Sequence, residues 1–299
     1  MALLNLPQVR PFHLWPIVHL LQEEETHQFS LGELKQWLTP MATEKNPLKD
    51  ATEVLRELGF LGQEKDPLIL IDPSSCTSLD EFLDAMHDNL ATTQGPNRRL
   101  LQAFAVLVVE CNRARGVAWL TKIDNQTAYA NFLAKSLPSD GKERDGRSMF
   151  NDTKLVAWVD YMDALGMGWN NSSVFGCHFF PSVTDRLVRT LMACLADGEL
   201  KPGRQVTAEA FLTILQKRMP YIDGGEMAQE VAKVMGTPSM LPERTLGIVL
   251  SSALRDLRED GLLHFHREGD KGNPWRLWPE DGIYDFFDKV KVMSPEVHP

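Results

Sequence analysis

The sequence predicts a mainly α-helical protein with small β-hairpin wings, in which two winged helix-turn-helix modules flank a helical middle domain. Three observations carry that prediction. Leu246, Val249, Leu250, Ala253, Leu254 and Leu257 recur at three- and four-residue steps, an apolar stripe on a helix beginning near Pro242 and stopped by Gly261. Leu262, Leu263 and Phe265 then form an apolar strand, the turn EGDKGNP is dense in breakers, and Trp275, Leu277 and Trp278 make the return strand. The same order recurs near the start: Leu55-Arg56-Glu57-Leu58-Gly59-Phe60-Leu61 parallels Leu257-Arg258-Glu259-Asp260-Gly261-Leu262-Leu263. A helix closed by glycine and feeding straight into a β-ribbon is the second half of a winged helix.

From the amino end, Phe12 to Glu25 reads as a helix with Leu14, Ile17, Val18, Leu20 and Leu21 on its apolar side. Ser30 and Glu33 have capping-box spacing at the head of a second helix, closed by Pro40. Leu48, Ala51, Leu55 and Leu58 share a face of a third helix ending at Gly59, and Leu68 to Ile71 form a strand. These elements complete an N-terminal winged-helix domain over residues 1–75.

The middle domain, 76–200, is expected to be helical. Ser78 caps its first helix, and the very apolar run LLQAFAVLVVECNRARGVAWL is its buried spine. Residues 131–137, 154–165 and 184–195 read as further helices, with a strand expected over 174–180. In the C-terminal winged-helix domain, 201–282, Thr207 caps one helix and residues 226–235 form the next. Residues 283–299 read as a short helix, with Ile283, Phe286, Phe287 and Val290 on its docking face, followed by a tail.

Charge narrows the function. The chain carries 31 basic and 41 acidic side chains, net −10, which argues against a general nucleic-acid coat because counterion release needs many Lys and Arg. The balance is uneven: residues 1–75 hold 6 basic and 11 acidic groups, whereas 201–280 hold 11 of each. The C-terminal module is therefore the better candidate for double-stranded DNA, and the N-terminal module favours protein contact. No apolar run approaches the roughly 18 residues of a membrane span, and the opening MALLNLPQVR lacks the features of a signal peptide, so the expectation is a cytoplasmic protein with no membrane partner. Cys76, Cys111, Cys177 and Cys194 are scattered without a CxxC pair and read as buried free thiols.

Motifs for catalysis are missing. There is no GxxxxGK[ST], GxGxxG or GxSxG, and the neighbours Cys177 and His178 point to opposite sides of a strand. Asp160 and Asp163 share a helix side without the lysine of a nuclease cluster. His264 and His266 share a strand face, a geometry fit for a metal, but no third ligand is close in sequence. The expectation is a protein that is not an enzyme and needs no cofactor or metal. Nucleic-acid contact is carried by Arg244, Arg255 and Arg258 on the helix and by His264, His266, Arg267, Lys271 and Arg276 on the wing. Glu243, Asp256, Glu259, Asp260, Glu268 and Asp270 oppose them in the same segment, and Arg255 and Arg258 fit surface ion pairs equally well. DNA contact and protein contact both stay open. Arg98, Arg99, Arg113 and Arg115 flank the apolar spine, either as a phosphate-facing cluster or as a solvated rim.

FLTILQKRMPYIDGGEMAQEV, followed by LPERTLGIVLSSALRDLREDGLL, resembles the C-terminal half of the DpdG family, and the LLNLP opening is similar too. The resemblance implies a non-catalytic component of a bacterial 7-deazaguanine DNA modification and restriction cluster for phage defence, and it supplies no catalytic residues. Its partners would be other subunits of the defence complex, an ATPase or helicase among the candidates. The alternative from a different class is a free-standing winged-helix transcriptional regulator, which would bind as a symmetric dimer.

Overall fold

The apolar periods of the sequence become helices whose stripes are buried, accompanied by small antiparallel sheets of two or three short strands. The structure is a computed structural model and describes residues 3–38, 47–72, 76–92, 96–138, 150–170, 179–237, 241–269, 273–280 and 282–294. From the amino end come α1 (Pro11–Glu23), β1 (Gln28–Phe29), α2 (Leu31–Leu38), α3 (Pro47–Glu57), β2 (Leu68–Ile69) and α4 (Leu79–Thr92). The middle carries α5 (Arg99–Ala114), α6 (Gln126–Ser136), α7 (Asp152–Ala164), β3 (Gly168–Trp169), β4 (Phe180–Pro181) and α8 (Thr184–Ala196). The remainder holds β5 (Gln205–Thr207), α9 (Ala208–Arg218), α10 (Glu226–Val234), α11 (Ile248–Glu259), β6 (Leu263–His266), β7 (Trp275–Arg276), β8 (Phe286–Phe287) and β9 (Lys289–Val292). No helix among the described residues is long and apolar enough to cross a membrane.

The chain divides into two compact units: Met1–Leu100 with Met149–Leu165, and Leu101–Ser148 with Gly166–Pro299. In the first, α2 starts with a reciprocal cap: Ser30 N–H donates to Glu33 at 2.9 Å, and Glu33 N–H donates back to the Ser30 hydroxyl at 3.1 Å. Leu48, Ala51, Val54, Leu55 and Leu58 bury the stripe of α3. Asn89 on α4 donates to the Leu58 carbonyl at 2.8 Å, satisfying a group that the helix end leaves open. Helix α7 joins this unit through Arg10–Asp160 at 2.7 Å and through the Trp158 indole, which donates to the Leu100 carbonyl at 2.9 Å. Asp160 is thus a structural partner of Arg10. Arg56 points back to the loop after α3 and donates to the Glu64 and Lys65 carbonyls.

The second unit is built on α5. Its residues from Leu101 to Cys111 are all buried, and Phe104 packs edge-on against Tyr221 with ring centres 5.2 Å apart. Cys111 and Cys194 are buried here and Cys76 in the first unit; burial pushes the thiols of Cys111 and Cys194 up to about 12, so both stay protonated and inert. Cys177 and His178 lie outside the described residues, as does most of the strand expected over 174–180. Only its end is seen, where Phe180 pairs with Trp169.

The repeated heptapeptide makes the same structure twice. Gly59 and Gly261 take left-handed backbone at φ 83° and 74°. Phe60 N–H donates to the Leu55 carbonyl and Leu262 N–H to the Leu257 carbonyl, both at 2.9 Å. The Gly261 cap leads into β6 and the Gly59 cap into the bridge residue Leu61, and in each unit a later strand lies between that segment and the strand that precedes the helices. In the first unit β2 pairs with β1 on one side and, through Leu70, with Leu61 on the other. In the second, β9 lies between β5 and β6.

Three expectations need correction. Helix α11 starts at Ile248 rather than near Pro242, so Arg244 lies in a loop with left-handed backbone at φ 54°. Leu246 N–H donates to the Arg276 carbonyl and Arg276 N–H to the Arg244 carbonyl, both at 2.9 Å; these bonds tie the loop before α11 to Arg276 and keep residues 244–246 out of the helix. The expected hairpin between 262–265 and 275–278 does not form: β6 pairs with β9, and β7 pairs with β8. Residues 286–287 and 289–292 are strands rather than a helix. Lys289, Val290, Lys291 and Val292 alternate with period two, Val290 and Val292 are buried, and this alternation prevails over the helical spacing of the aromatic residues before it.

Candidate nucleic-acid interface

Strand register decides which basic groups share a surface. His264 stands opposite Lys291 and His266 opposite Lys289, while on the far side of β9 Gln205 and Thr207 face the same two lysines. Directly opposed residues point to one face of a sheet. Leu263, Val290 and Val292 are buried on the inner face, so the outer face presents two imidazoles and two lysines. Lys289 also pairs with Glu268. The histidines' nearest cross-strand neighbours are cations, an arrangement suited to phosphate rather than to a metal ion. His264 is exposed; the Nε2 of His266 is buried without a partner among the described residues. Lys289 and Lys291 escaped the sequence reading, although the KVKV alternation was the signal that could have found them.

The predicted helix arginines are engaged elsewhere. Arg255 is 9% exposed and donates to an Asp285 carboxylate oxygen at 3.0 Å and to the Trp278 carbonyl. Arg258 donates to the other Asp285 oxygen at 2.9 Å and lies over the Phe265 ring. Burial alone would push the Asp285 carboxyl up, but the bonds from Arg258 and Arg255 outweigh it and hold the group below the ordinary aspartate range. One carboxylate thus ties α11 to the segment before β8. What α11 leaves exposed is Ser252, Asp256 and Glu259, and the Thr184 hydroxyl donates to Asp256 at 2.7 Å.

Arg244 and the residues predicted on the wing are spread more widely. Arg244 donates to the Asn273 carbonyl at 2.9 Å and lies 5.9 Å from the Trp275 ring centre. Arg267 lies 5.6 Å from that of Phe286, and Arg276 donates to the Glu243 carbonyl at 3.2 Å. Lys271 is outside the described residues. The structure therefore groups His264 and His266 with the unforeseen lysines, groups Arg255 with Arg258 around Asp285, and places Arg244 on the loop before α11 with Arg276 of β7 paired against that loop. Arg98 and Arg99 sit at the amino end of α5, while Arg113 and Arg115 sit at its carboxyl end, so the four form no single cluster.

The DGG turn has a structural task. Gly247 N–H donates to Asp223 Oδ2 at 2.7 Å, Ile248 N–H donates to Asn112 Oδ1 at 3.0 Å, and Asn112 Nδ2 donates to Asp223 Oδ1 at 2.7 Å. A carboxylate from the turn and an amide from α5 together satisfy the first N–H groups of α11, where negative charge is favoured. Burial pushes the Asp223 carboxyl up, and the bonds from Asn112 and Gly247 partly offset that rise. Glycine is favoured beside it at both positions: Gly224 takes left-handed backbone at φ 77°, and a Cβ at Gly225 would collide with the Pro220 backbone.

A family model for DpdG-like proteins matches residues 1–271, which include α11, its cap and β6. No curated protein and no solved structure matches the chain. With 271 of its 299 residues inside the match, the chain belongs to the DpdG-like family.

Proposed function

We propose that the chain is a non-catalytic adaptor, built on two winged-helix modules, that holds protein partners in a defence or restriction assembly. Membership of the DpdG-like family suggests a role in a Dpd-type defence or modification system, and a multi-gene system supplies partners. The winged-helix reading is supported by strand order. A winged helix runs helix, strand, helix, helix, then a two-strand wing whose last strand lies between the other two. Both units follow that order, α1–β1–α2–α3 in the first and α8–β5–α9–α11 in the second, with α10 as an addition.

The observation that carries the adaptor reading is the surface of α11. The third helix of such a module enters the major groove when it reads DNA. Here its exposed strip bears Asp256 and Glu259, while Arg255 and Arg258 are held by Asp285. Carboxylates facing a phosphate-lined groove are repelled, whereas a basic surface on a partner protein would be attracted. The same strip speaks against a free-standing regulator reading its own promoter. The basic outer face of β5, β9 and β6 favours a second reading, in which double-stranded DNA lies along the wing and is held by its backbone.

Charge reversal separates the two. The double variant Asp256→Lys and Glu259→Lys is expected to lower co-purification of partner subunits at least tenfold with only a small change in thermal stability, since the exposed Thr184–Asp256 bond that it removes is offset by cations that suit the last turn of a helix. Partner yield unchanged by that variant, together with loss of DNA binding in Lys291→Glu, would support the second reading instead.

A further inference from the structure

We infer that a pocket at the carboxyl end of α5 binds a single nucleoside phosphate, either a free mononucleotide or the phosphorylated end of a strand. The cavity measures about 360 Å³, within the range of small-molecule sites. Arg113, Arg115 and Arg276 line it with Trp278, Tyr284 and Thr245, and no acidic residue is among the described lining residues. Guanidinium groups recognise phosphate through paired N–H donors, and flat aromatic rings stack on any base.

The charges are not all neutralised within the fold. Glu110 takes the Nε and Nη2 donors of Arg113 at 2.6 Å each and compensates that cation. Arg276 is steadied by a neutral carbonyl, that of Glu243, and keeps its charge. Arg115 is exposed and has no partner among the described residues. Its backbone is left-handed at φ 56°, one residue beyond the end of α5, where glycine is the favoured residue. A cation near a helix C-terminus is ordinary, but a strained one beside Arg276 and two aromatic rings is not accounted for by the helix dipole alone. Thr245 supplies a second, independent sign. It is 6% exposed, its hydroxyl is buried without a partner among the described residues, and a ligand oxygen would satisfy it. A larger cavity of about 470 Å³ shares Asn112, Pro242 and Thr245 with this pocket, but its lining is mainly apolar and gathers no such cluster of arginines.

The site is independent of the adaptor reading and is tested by calorimetric titration of the full chain with AMP, GMP, CMP, UMP, adenosine and inorganic phosphate. A parallel titration uses one single-stranded oligonucleotide with either a 5′-phosphate or a 5′-hydroxyl. At least one monophosphate is expected to bind once per chain, at least tenfold more tightly than adenosine or phosphate alone. Arg115→Gly, which suits the left-handed backbone and so retains the fold, and Arg276→Gln are each expected to weaken binding at least tenfold. Preference for the phosphorylated oligonucleotide over every mononucleotide would assign the ligand to a strand end; comparable or weaker binding would assign it to a free nucleotide. The inference is overturned if neither probe binds, or if Arg115→Gly melts like the parent and binds unchanged.

Discussion

Alanine at Gly247 is expected to destabilise the second unit by about 3–4 kcal/mol, combining overpacking with the loss of a helix cap. Its Cβ would lie 2.5 Å from an Asp223 carboxylate oxygen and closer still to the Asn112 side chain, both in a buried site that cannot open without breaking the cap. Gly198 is the matched control. It has left-handed backbone at φ 72° but open space around it, so alanine there is expected to cost only about 1–2 kcal/mol from backbone strain. Asp223→Ala should fall between them at about 2–3 kcal/mol, because it leaves the Gly247 N–H and the Asn112 amide unsatisfied. Denaturant unfolding followed by circular dichroism reads all three, and a Gly247→Ala variant within 1 kcal/mol of the parent would contradict the described cap.

Asp285→Ala is the second large effect. It removes the partner of Arg255, leaving a guanidinium buried with only the Trp278 carbonyl and the outlying carboxylate of Glu280 at 3.6 Å. A buried charge that loses its partner costs several kcal/mol; with Asp285 27% exposed, about 2–4 kcal/mol is expected. The pH dependence follows from the direction of the shift. The folded carboxyl lies below the ordinary aspartate value of about 3.9, so its stabilisation is present above that value and is lost as pH falls through the lower folded one. Parent and Asp285→Ala should therefore converge in stability on acidification below pH ~4, and a gap that is constant from neutral to acid pH would contradict this assignment.

The sequence disclosed most readily what local chemistry determines. Ser30 with Glu33, Ser78, Thr207 and the two glycine-closed helix ends were legible because a cap needs one residue type at one position. The buried spine from Leu101 to Cys111 was legible because its apolar run is continuous. Pairings across long separations were not. Nothing in the local pattern says that Leu263 pairs with Val292 rather than with a residue near Trp275, and the inserted β7 and β8 hid the true partner. The start of α11 was misplaced for a related reason: its N–H groups are satisfied by Asn112 and Asp223, residues 136 and 24 positions earlier, so the local sequence around Gly247 carries no cap signal. The candidate interface shifted accordingly. Arg255 and Arg258 lost their freedom to Asp285, a residue read as part of a separate helix, while Lys289 and Lys291 gained a place beside His264 and His266 once their segment became a strand.

The adaptor reading is tested most directly by isolating the tagged chain at native expression levels, with and without nuclease treatment, and identifying what accompanies it by mass spectrometry. It predicts a fixed set of partner proteins that persists after nuclease. Partners that vanish with nuclease, or a chain recovered with DNA alone, would contradict it and assign the work to the basic face of the wing.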